Sequence, residues 1–321
     1  PSTVPEFSAV GYFFARELHE KYGVPVGIIN ASRGATDIET WVSRDVLATM
    51  PFMEKKLSKQ TTDTAEWNSY LRSIWEAERK RDEIGYHSTA GLKVGVQKPS
   101  YKDGQWNSAI YPVDMPKAKV PGFWGVIWMR KHFQLKHKGE AQLMLPVKGQ
   151  AYKVYVNGKE VNIEKGKNDT VIIPANYLRK GKNVLALRLY AHWGDAGIGL
   201  DGREAVLHLA DETASLGGEW LTNAEIEPEV VQWNNYYCRP SVSYNAMVAP
   251  IFPYAIRGIV WYQGENNVGR YKNYTALQTG LVSDWRIHFQ QGYLPFLFVQ
   301  LAGFEKQKTE PVENDARALF R

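Results

Sequence analysis

The sequence has a single cysteine, Cys238, among its 321 residues, and this scarcity excludes several kinds of site. One thiol cannot form an intrachain disulfide, and no pair of histidines or cysteines stands at the spacing of a zinc site. Phosphate-binding loops and dinucleotide-binding fingerprints are absent too. We therefore expect neither a metal nor a cofactor, and we interpret Cys238 as a lone buried thiol.

Long hydrophobic runs and clusters of basic charge are also lacking. No apolar run reaches the roughly 20 residues that a membrane helix needs, so we expect no membrane span. The net charge of +5 comes from 39 Lys and Arg against 34 Asp and Glu, and the basic residues are scattered along the chain. Nucleic acid is therefore not an expected partner. The length allows two domains at roughly 100 to 200 residues each.

Both ends of the chain alternate helices with short apolar strands. Apolar residues recur at three- and four-residue steps near the N-terminus and predict a helix that Gly23 and Pro25 end. A strand-like run, VPVGII, follows, and two more, RGIVW and LPFLFVQ, flank a helical stretch over residues 271–289. Near-continuous apolar strands separated by helices predict an α/β fold with a parallel sheet covered on both faces.

The middle of the chain has a different pattern. Residues 124–209 contain six short runs rich in valine, isoleucine and aromatics, separated by turn signals, and Asn157-Gly158 is a strong hairpin signal. This pattern predicts an antiparallel β-sandwich inserted into the α/β domain. We place the first part of the α/β domain at residues 1–98, the insertion at 99–226 and the second part at 227–321.

Polar loops follow the three predicted parallel strands, at Asn30–Thr36, Gln263–Asn267 and Gln300–Phe304. Ligands of open α/β sheets bind outside the carboxyl ends of the strands, so these loops are expected to converge. In NASRGAT, Gly34 lets its backbone amide approach a ligand closely, although an ordinary turn glycine explains it equally. In QGENN, Gln263 and Asn266 can donate to an oxyanion, whereas ionised Glu265 can only accept, so we interpret Glu265 as an orienting acceptor. A helix-capping cluster is the alternative for this second loop.

A serine nucleophile is not evident in these loops. Ser32 lies in the first loop but lacks a Gly-x-Ser-x-Gly turn and a neighbouring histidine, so we reject it as a nucleophile. None of the seven histidines follows a predicted parallel strand. We interpret them as structural or surface residues.

Three segments resemble the sialate O-acetylesterases, a carbohydrate esterase family of the SGNH hydrolase superfamily. They are FSAVGYFFARELHEKYGVPVGIINASRGATDIETW, VSYNAMVAPIFPYAIRGIVWYQGENNVGRYKNY and LVSDWRIHFQQGYLPFLFVQLAGF. The resemblance implies an SGNH-hydrolase, flavodoxin-like three-layer sandwich with a parallel sheet. It also implies an inserted antiparallel β-sandwich of jelly-roll, galactose-binding-like type. In this family a serine attacks an acetyl ester on a sugar, a histidine acts as base and an aspartate orients the histidine.

The resemblance also implies roles for particular residues. Gly34 matches the oxyanion glycine, and Gln263 to Asn266, with Glu265 between them, match the loop of the side-chain oxyanion donor. The implied reaction removes O-acetyl groups from 9-O-acetyl sialic acid or another acetylated glycan through an acetyl-serine intermediate. Arg33 and Arg270 border the loops and could pair with the carboxylate of sialic acid, and Trp261 could contact the sugar. Family members are generally exported, so we expect a periplasmic or secreted protein.

Two family motifs do not occur in this sequence. The Gly-Gln-Ser-Asn motif of the nucleophile and the Asp-x-x-His motif of the acid and base are both missing. Three hypotheses remain: this sequence is part of a longer acetylesterase, a non-catalytic sugar-binding protein, or an inactive esterase fragment. The sequence leaves the oligomeric state open.

Overall fold

A computed structural model describes residues 7–115, 124–162, 169–232, 234–303, 310 and 315–320. The chain divides into two compact units, Pro1–Thr64 with Asn235–Arg321, and Ala65–Asn234. The first is called the loop unit and the second the β unit. The predicted insertion, residues 99–226, lies inside the β unit, which starts earlier and ends later than that prediction.

The described residues of the loop unit are mainly helical, with one pair of strands. Single turns of 3₁₀-helix occur at Ile38–Trp41, Pro51–Met53, Tyr236–Cys238 and Ala249–Ile251, a longer 3₁₀ segment covers Glu265–Asn273, and a π-turn covers Tyr244–Val248. The α-helices are α1 (Ala9–Tyr22), α2 (Arg44–Ala48), α3 (Glu54–Leu57), α6 (Tyr274–Phe289) and α7 (Ala316–Phe320), and the strands are β14 (Ile259–Trp261) and β15 (Phe296–Phe298).

The first predicted helix is confirmed, and its ends have clear causes. Ser8 accepts a hydrogen bond from the Gly11 N–H through its hydroxyl, at 3.2 Å, and so caps the first turn of α1. Gly23 ends the helix with φ of +65°, a left-handed conformation that glycine adopts without the steric cost of a Cβ.

The predicted parallel sheet is only partly present. Strands β14 and β15 pair in parallel, with Val260 opposite Leu297. Residues 24–29 form no strand, and Val24 and Ile29 are half exposed, because no described strand lies beside them to pair with their backbone. A three-stranded parallel sheet covered on both faces is therefore not confirmed, and the SGNH fold remains an implication of the family.

The core of the loop unit centres on three tryptophans. Trp261, at the end of β14, packs edge-to-face against Trp41 at 6.1 Å and against Trp285 at 5.7 Å between ring centroids. Such pairs stabilise by roughly 0.5 to 1.5 kcal/mol beyond their buried area. This core fixes the end of β14, and therefore the start of the loop that follows it.

The β unit begins with α4 (Thr64–Asp82, whose first residue belongs to the loop unit), a π-turn at Glu83–His87 and α5 (Ala90–Lys93). Its strands pair antiparallel in three sheets, ordered β1-β13-β3-β9-β6-β7, β12-β11-β4-β8 and β2-β10-β5. The strands are β1 (Asn107–Ile110), β2 (Val113–Asp114), β3 (Gly125–Leu135), β4 (Ala141–Met144), β5 (Val147–Lys148), β6 (Ala151–Val156), β7 (Lys159–Val161), β8 (Thr170–Ile173), β9 (Gly181–Ala191), β10 (Gly197–Ile198), β11 (Val206–His208), β12 (Thr213–Ser215) and β13 (Glu219–Asn223).

The two larger sheets share one apolar core, to which Leu187 of β9 and Leu143 of β4 contribute. The predicted hairpin is confirmed: β6 and β7 pair with Val156 opposite Lys159, and both turn residues, Asn157 and Gly158, have positive φ. The jelly-roll connectivity stays a prediction.

The helical segment before the insertion packs on the six-stranded sheet through two glycines. A Cβ on Gly85 would lie 2.3 Å from the Tyr190 ring, and one on Gly91 would lie 2.3 Å from the Trp128 indole. Arg188 of β9, almost wholly buried, donates to the carbonyl oxygens of Gly85 and Ile84 and to the Glu227 carboxylate. These contacts explain why residues outside 99–226 belong to the β unit.

Candidate functional site

The two predicted loops of the site meet in the loop unit. The Asn266 side-chain amide donates to the Ala35 carbonyl oxygen at 3.0 Å. The Gln263 side-chain amide donates to the Thr36 carbonyl oxygen at 2.9 Å. The predicted convergence is confirmed for these two loops. In the third predicted loop, Phe304 lies outside the described residues.

Gly34 lies at the exposed corner of a tight turn. The Thr36 hydroxyl donates to the Arg33 carbonyl oxygen at 2.9 Å and closes the turn. Ala35 has φ of +55°, a left-handed conformation that costs a non-glycine residue about 1 kcal/mol or more. Among the described residues, no acceptor takes the Gly34 N–H, and no atom lies within 4 Å of a Cβ built on Gly34. The Gly34 N–H is therefore a free backbone donor at the exposed surface of the turn.

The predicted side-chain donors are already engaged within the protein. Gln263 donates its second amide hydrogen to Asn267 Oδ1 at 2.8 Å, and its own Oε1 lies 2.9 Å from the donating Tyr274 hydroxyl. Asn266 donates its second hydrogen to Asp37 Oδ1 at 3.1 Å, but its side chain is exposed. Of the two, Asn266 is the one that can reach a ligand by exchanging an internal acceptor.

Glu265 and its neighbour Asn267 lie in opposite environments. Glu265 is exposed at the start of the 3₁₀ segment, and its carboxylate accepts no hydrogen bond from the part of the chain that the structure describes. Its predicted orienting role stays a prediction. Asn267 is buried and accepts the Ile38 N–H at 2.9 Å. The sequence analysis missed Asn267, and helical spacing could not have found it, because Gln263 lies before the 3₁₀ segment that contains Asn267.

Arg270 forms part of a charged network beneath the loops. Its Nη2 lies 2.7 Å from Asp37 Oδ2, and its Nη1 lies 2.6 Å from Glu39 Oε1. Lys56 Nζ also contacts Glu39 Oε1, at 2.8 Å. Burial raises the pKa of Glu39, but hydrogen bonds from Lys56 and Asn267 lower the pKa by more than burial raises it. The pKa of Glu39 therefore lies below its ordinary value. Burial lowers the pKa of Arg270 and the two carboxylates raise it, with a net increase. Arg270 is therefore a charged structural partner of two carboxylates.

Arg33 has a different setting. Its guanidinium lies 4.5 Å from the ring centroid of Tyr237, a cation–π contact that leaves the N–H donors in the plane of the guanidinium available. The residue is exposed, and no carboxylate among the described residues pairs with it. Arg33 is therefore the better placed of the two predicted arginines to meet an anionic ligand.

The remaining predicted residues are placed as follows. Trp261 is buried in the tryptophan cluster, and its contact with a sugar stays a prediction. Ser32 donates to Asn30 Oδ1 at 2.7 Å. Cys238 is half-buried rather than fully buried, and its thiol donates to the Ala35 carbonyl oxygen at 3.1 Å. Burial is the main cause that raises the pKa of this thiol.

None of the helices among the described residues has the length and apolar character to cross a bilayer. No group of three or more His, Cys, Asp or Glu in the described ranges is arranged to hold a metal ion.

Comparison with known proteins identifies the family of the C-terminal part. Residues 217–320 match the profile of a family described as "Carbohydrate esterase, sialic acid-specific acetylesterase". These residues belong to that family. Gln263, Glu265, Asn266, Trp261 and Arg270 all lie in the matched range.

Curated relatives agree with this assignment. The chain is 39% identical to the sialate O-acetylesterase of Mus musculus over 74 residues, 21% of this chain and 14% of the mouse protein. It is 38% identical to the Rattus norvegicus sialate O-acetylesterase over 72 residues, 20% and 13% of the two chains. Identity to the Homo sapiens sialate O-acetylesterase is 35% over 77 residues, 22% and 15%. The chain thus matches these relatives over about a seventh of their length.

Proposed function

We propose that this protein acts in removing O-acetyl groups from sugars, with 9-O-acetyl sialic acid as substrate. The observation that carries the proposal is the meeting of the Gly34 turn with the Gln263–Asn266 loop, which lies in the matched acetylesterase range. The loops of the two oxyanion motifs implied by the resemblance are thereby brought within hydrogen-bonding distance of each other. An exported location, periplasmic or secreted, belongs to the same proposal.

The reaction proposed is acyl transfer in two steps. A serine hydroxyl attacks the acetyl carbonyl carbon, a histidine takes its proton, and the sugar hydroxyl leaves with that proton. Water then attacks the acetyl-serine and releases acetate. The family motifs that supply this serine, histidine and aspartate are absent from this sequence, so the residues described here serve binding and charge stabilisation.

Gly34 is the proposed backbone oxyanion donor. Its N–H is free among the described residues and lies at an exposed corner, where the negative oxygen of a tetrahedral intermediate can approach it. One such donor stabilises the transition state by about 3 kcal/mol, roughly a hundredfold or more in rate. Asn266 is the proposed second donor, and to act it must turn one amide hydrogen from Ala35 or Asp37 toward the substrate.

Arg33 is the proposed partner of the sialic acid carboxylate. Arginine can hold a carboxylate through two parallel hydrogen bonds, and the Tyr237 ring supports the guanidinium of Arg33 from one face. Arg270 is less suited to this role, because Asp37 and Glu39 already take its donors.

The Arg33 proposal is tested with an Arg33→Ala variant in the natural protein. KM for 9-O-acetyl sialic acid should rise by roughly tenfold, because one charge-assisted contact is lost, whereas turnover of the neutral ester p-nitrophenyl acetate should not change. Arg257→Ala is the matched control, since Arg257 is also exposed in the loop unit. An equal effect on both esters would contradict the carboxylate role.

The esterase proposal itself is tested on the protein purified from its natural source. Its intact mass is compared with the 36.5 kDa of this sequence, and acetate release is measured from 9-O-acetyl sialic acid. Turnover supports the proposal. Binding of the sugar without acetate release would favour a sugar-binding protein, an alternative favoured by the internal pairing of the Gln263 amide.

A further inference from the structure

A buried carboxylate outside the predicted site lies under both loops. Glu39, in the 3₁₀ turn after the Gly34 loop, is 3% exposed. Its Oε2 accepts the Asn267 side-chain amide at 2.9 Å, and its Oε1 accepts Arg270 at 2.6 Å and Lys56 at 2.8 Å. A carboxylate so far from solvent is stable only because all of these donors face it.

Asn267 connects Glu39 to the two loops of the site by hydrogen bonds. Its Oδ1 accepts the backbone N–H of Ile38 at 2.9 Å and the side-chain amide of Gln263 at 2.8 Å. Gln263 in turn holds the Thr36 carbonyl oxygen. A continuous path of hydrogen bonds therefore runs from Glu39 through Asn267 to both loops, and every residue in it belongs to the loop unit.

We propose that Glu39 is a positioning residue that orients Asn267 and Arg270 and thereby holds the Gly34 turn against the Gln263–Asn267 loop. The effect on catalysis rests on the proposed esterase function, whereas the effect on loop order does not. Glu39 touches no substrate in this proposal. Its contribution is to keep the oxyanion donors in the geometry that the reaction needs.

The proposal requires a carboxylate and not merely a polar side chain of the same size. Glutamine has one acceptor oxygen, while the Glu39 oxygens face an amide on one side and two cations on the other. In Glu39→Gln, if the new side chain turns its oxygen toward Asn267, its NH2 group faces Lys56 and Arg270. If it turns the other way, two NH2 groups face each other at Asn267. Neither orientation satisfies all the donors.

A swapped pair can restore the network. In the double variant Glu39→Gln with Asn267→Asp, the new amide donates to the new carboxylate, and its oxygen accepts from Lys56 and Arg270. The new carboxylate still accepts from Ile38 and Gln263, and the net charge of the pair is unchanged. In Asn267→Asp alone, two carboxylates face each other and repel. The swap should therefore behave more like the parent than either single change does.

The first measurement is hydrogen exchange of the Ile38 backbone amide in this 321-residue chain. Each single variant should exchange this amide about tenfold faster or more, because its acceptor is no longer held, and the swap should return it toward the parent rate. Glu17→Gln, the same change at an exposed position of α1, is the control and should leave the rate unaltered. Single variants that match this control would overturn the proposal.

The second measurement is steady-state kinetics of the same variants in the natural protein. Glu39→Gln should lower kcat by roughly tenfold to a hundredfold with KM changed little, and the swap should recover most of the loss. If Glu39→Gln does not fold, the double variant with Asn267→Asp tests the proposal. A double variant that also fails to fold, or that folds but exchanges the Ile38 amide rapidly, overturns the proposal. Absent acetate release by the parent would refute the esterase function, while the exchange rates would still test the role of Glu39.

Discussion

Gly34 and Gln263 show how similar sequence signals lead to different positions in the site. Both were predicted as oxyanion donors. The Gly34 N–H is exposed and free among the described residues, whereas the amide of Gln263 holds the neighbouring loop through Thr36 and Asn267. A free donor can act on a ligand directly, and an engaged donor shapes the surface that the ligand meets.

This difference leads to a prediction for Gly34→Ala. A Cβ at Gly34 meets no atom within 4 Å, so the fold should keep its stability within about 0.5 kcal/mol. Alanine keeps the backbone N–H, but its methyl group would crowd an oxygen that approaches this N–H, so kcat/KM for acetate release should fall by up to about a hundredfold, the contribution of one donor. Gly27→Ala is the matched control, since Gly27 also has open space around its Cβ position. Equal activity of the two variants would remove Gly34 from the oxyanion site.

At this scale, the sequence predicted the location of the site better than the role of each side chain. The order of apolar run and polar loop predicted that the Gly34 and Asn266 loops meet, and the hydrogen bond from Asn266 to Ala35 joins them although residues 24–29 form no strand. Nothing in the residue types distinguished Arg33 from Arg270. Their difference arises from Asp37 and Glu39, whose carboxylates pair with Arg270 only after folding. Long-range ion pairs of this kind cannot be read from spacing.

At the scale of elements, helix α7 packs on the QGENN loop. A Cβ on Gly264 would lie 2.6 Å from the Phe320 ring and 3.1 Å from Leu301, and the Phe320 ring also contacts the Tyr274 ring at a tilt of 55°, with 4.3 Å between ring centroids. Tyr274 holds the carbonyl oxygen of Gln263 at 3.0 Å. The short helix therefore packs against the loop that carries the predicted side-chain donors, and Gly264 makes this close approach possible.

Gly264→Ala should separate α7 from the loop. The added methyl group overlaps the Phe320 ring, which should lower the free energy of unfolding by about 1 to 3 kcal/mol. Adding Phe320→Ala removes the overlap with the ring, so Gly264→Ala should cost less in that background, while the φ of +155° at Gly264 and the Leu301 side chain at 3.1 Å keep part of the cost. Gly269→Ala in the same 3₁₀ segment has no atom within 4 Å of its Cβ and is the control. Urea unfolding measures all four variants, and an unchanged cost in the Phe320→Ala background would contradict this packing.

A buried ion pair between Arg188 and Glu227 joins elements of the β unit, and it predicts that the stability of this unit depends on pH. Burial raises the pKa of Glu227, but hydrogen bonds from Ser88 and Trp128 and the charge of Arg188 lower it to a net value below 4.5. Its stabilising contribution is therefore complete above pH 4.5 and is lost as the pH falls through the lower pKa of the folded state. Stability of the β unit should therefore fall as the pH drops below about 4.5.

Glu227→Gln tests this contribution. At pH 7 the variant should lose about 3 kcal/mol, because Arg188 stays buried without its counter-charge, and its stability should depend less on pH below 4.5. Hydrogen exchange of the β9 amides at several pH values measures the effect. Glu140→Gln, an exposed change in the same unit, should follow the parent curve. If the exchange rates of the β9 amides depend on pH in the same way in Glu227→Gln and in the parent, the prediction is refuted.

Elements were predictable where the signal was local. Gly23 and the Asn157-Gly158 turn each set their own backbone conformation, and the structure places α1 and the β6–β7 hairpin as predicted. The run VPVGII has the residue types of a strand, but a strand also needs a neighbour that accepts and donates its backbone hydrogen bonds. No described segment supplies one.

At the scale of the whole molecule, the division into units depends on contacts that composition does not show. The predicted insertion ended at residue 226, directly before Glu227, and began after the two glycines that contact the sheet. The composition changes between β-type and α-type at these two points. The boundaries of the compact unit lie elsewhere, because Arg188 takes its hydrogen-bonding partners from both flanking segments.

A last prediction concerns which fragment folds alone. Among the described residues, 65–234 contain the shared core of the two larger sheets and every hydrogen-bonding partner of the Arg188 side chain, so this fragment should unfold cooperatively by itself. Residues 99–226 lack Glu227 and Gly85 and would leave Arg188, 2% exposed in the folded unit, without its counter-charge. Losing one partner of a buried ion pair costs about 3 to 5 kcal/mol, so the shorter fragment should melt at least about 10 °C lower or fail to fold. Residues 83–234, which drop α4 but keep these partners, should melt between the two. Circular dichroism of the three fragments measures this order, and equal melting temperatures for the longest and the shortest would show that the flanking segments do not stabilise the sheet.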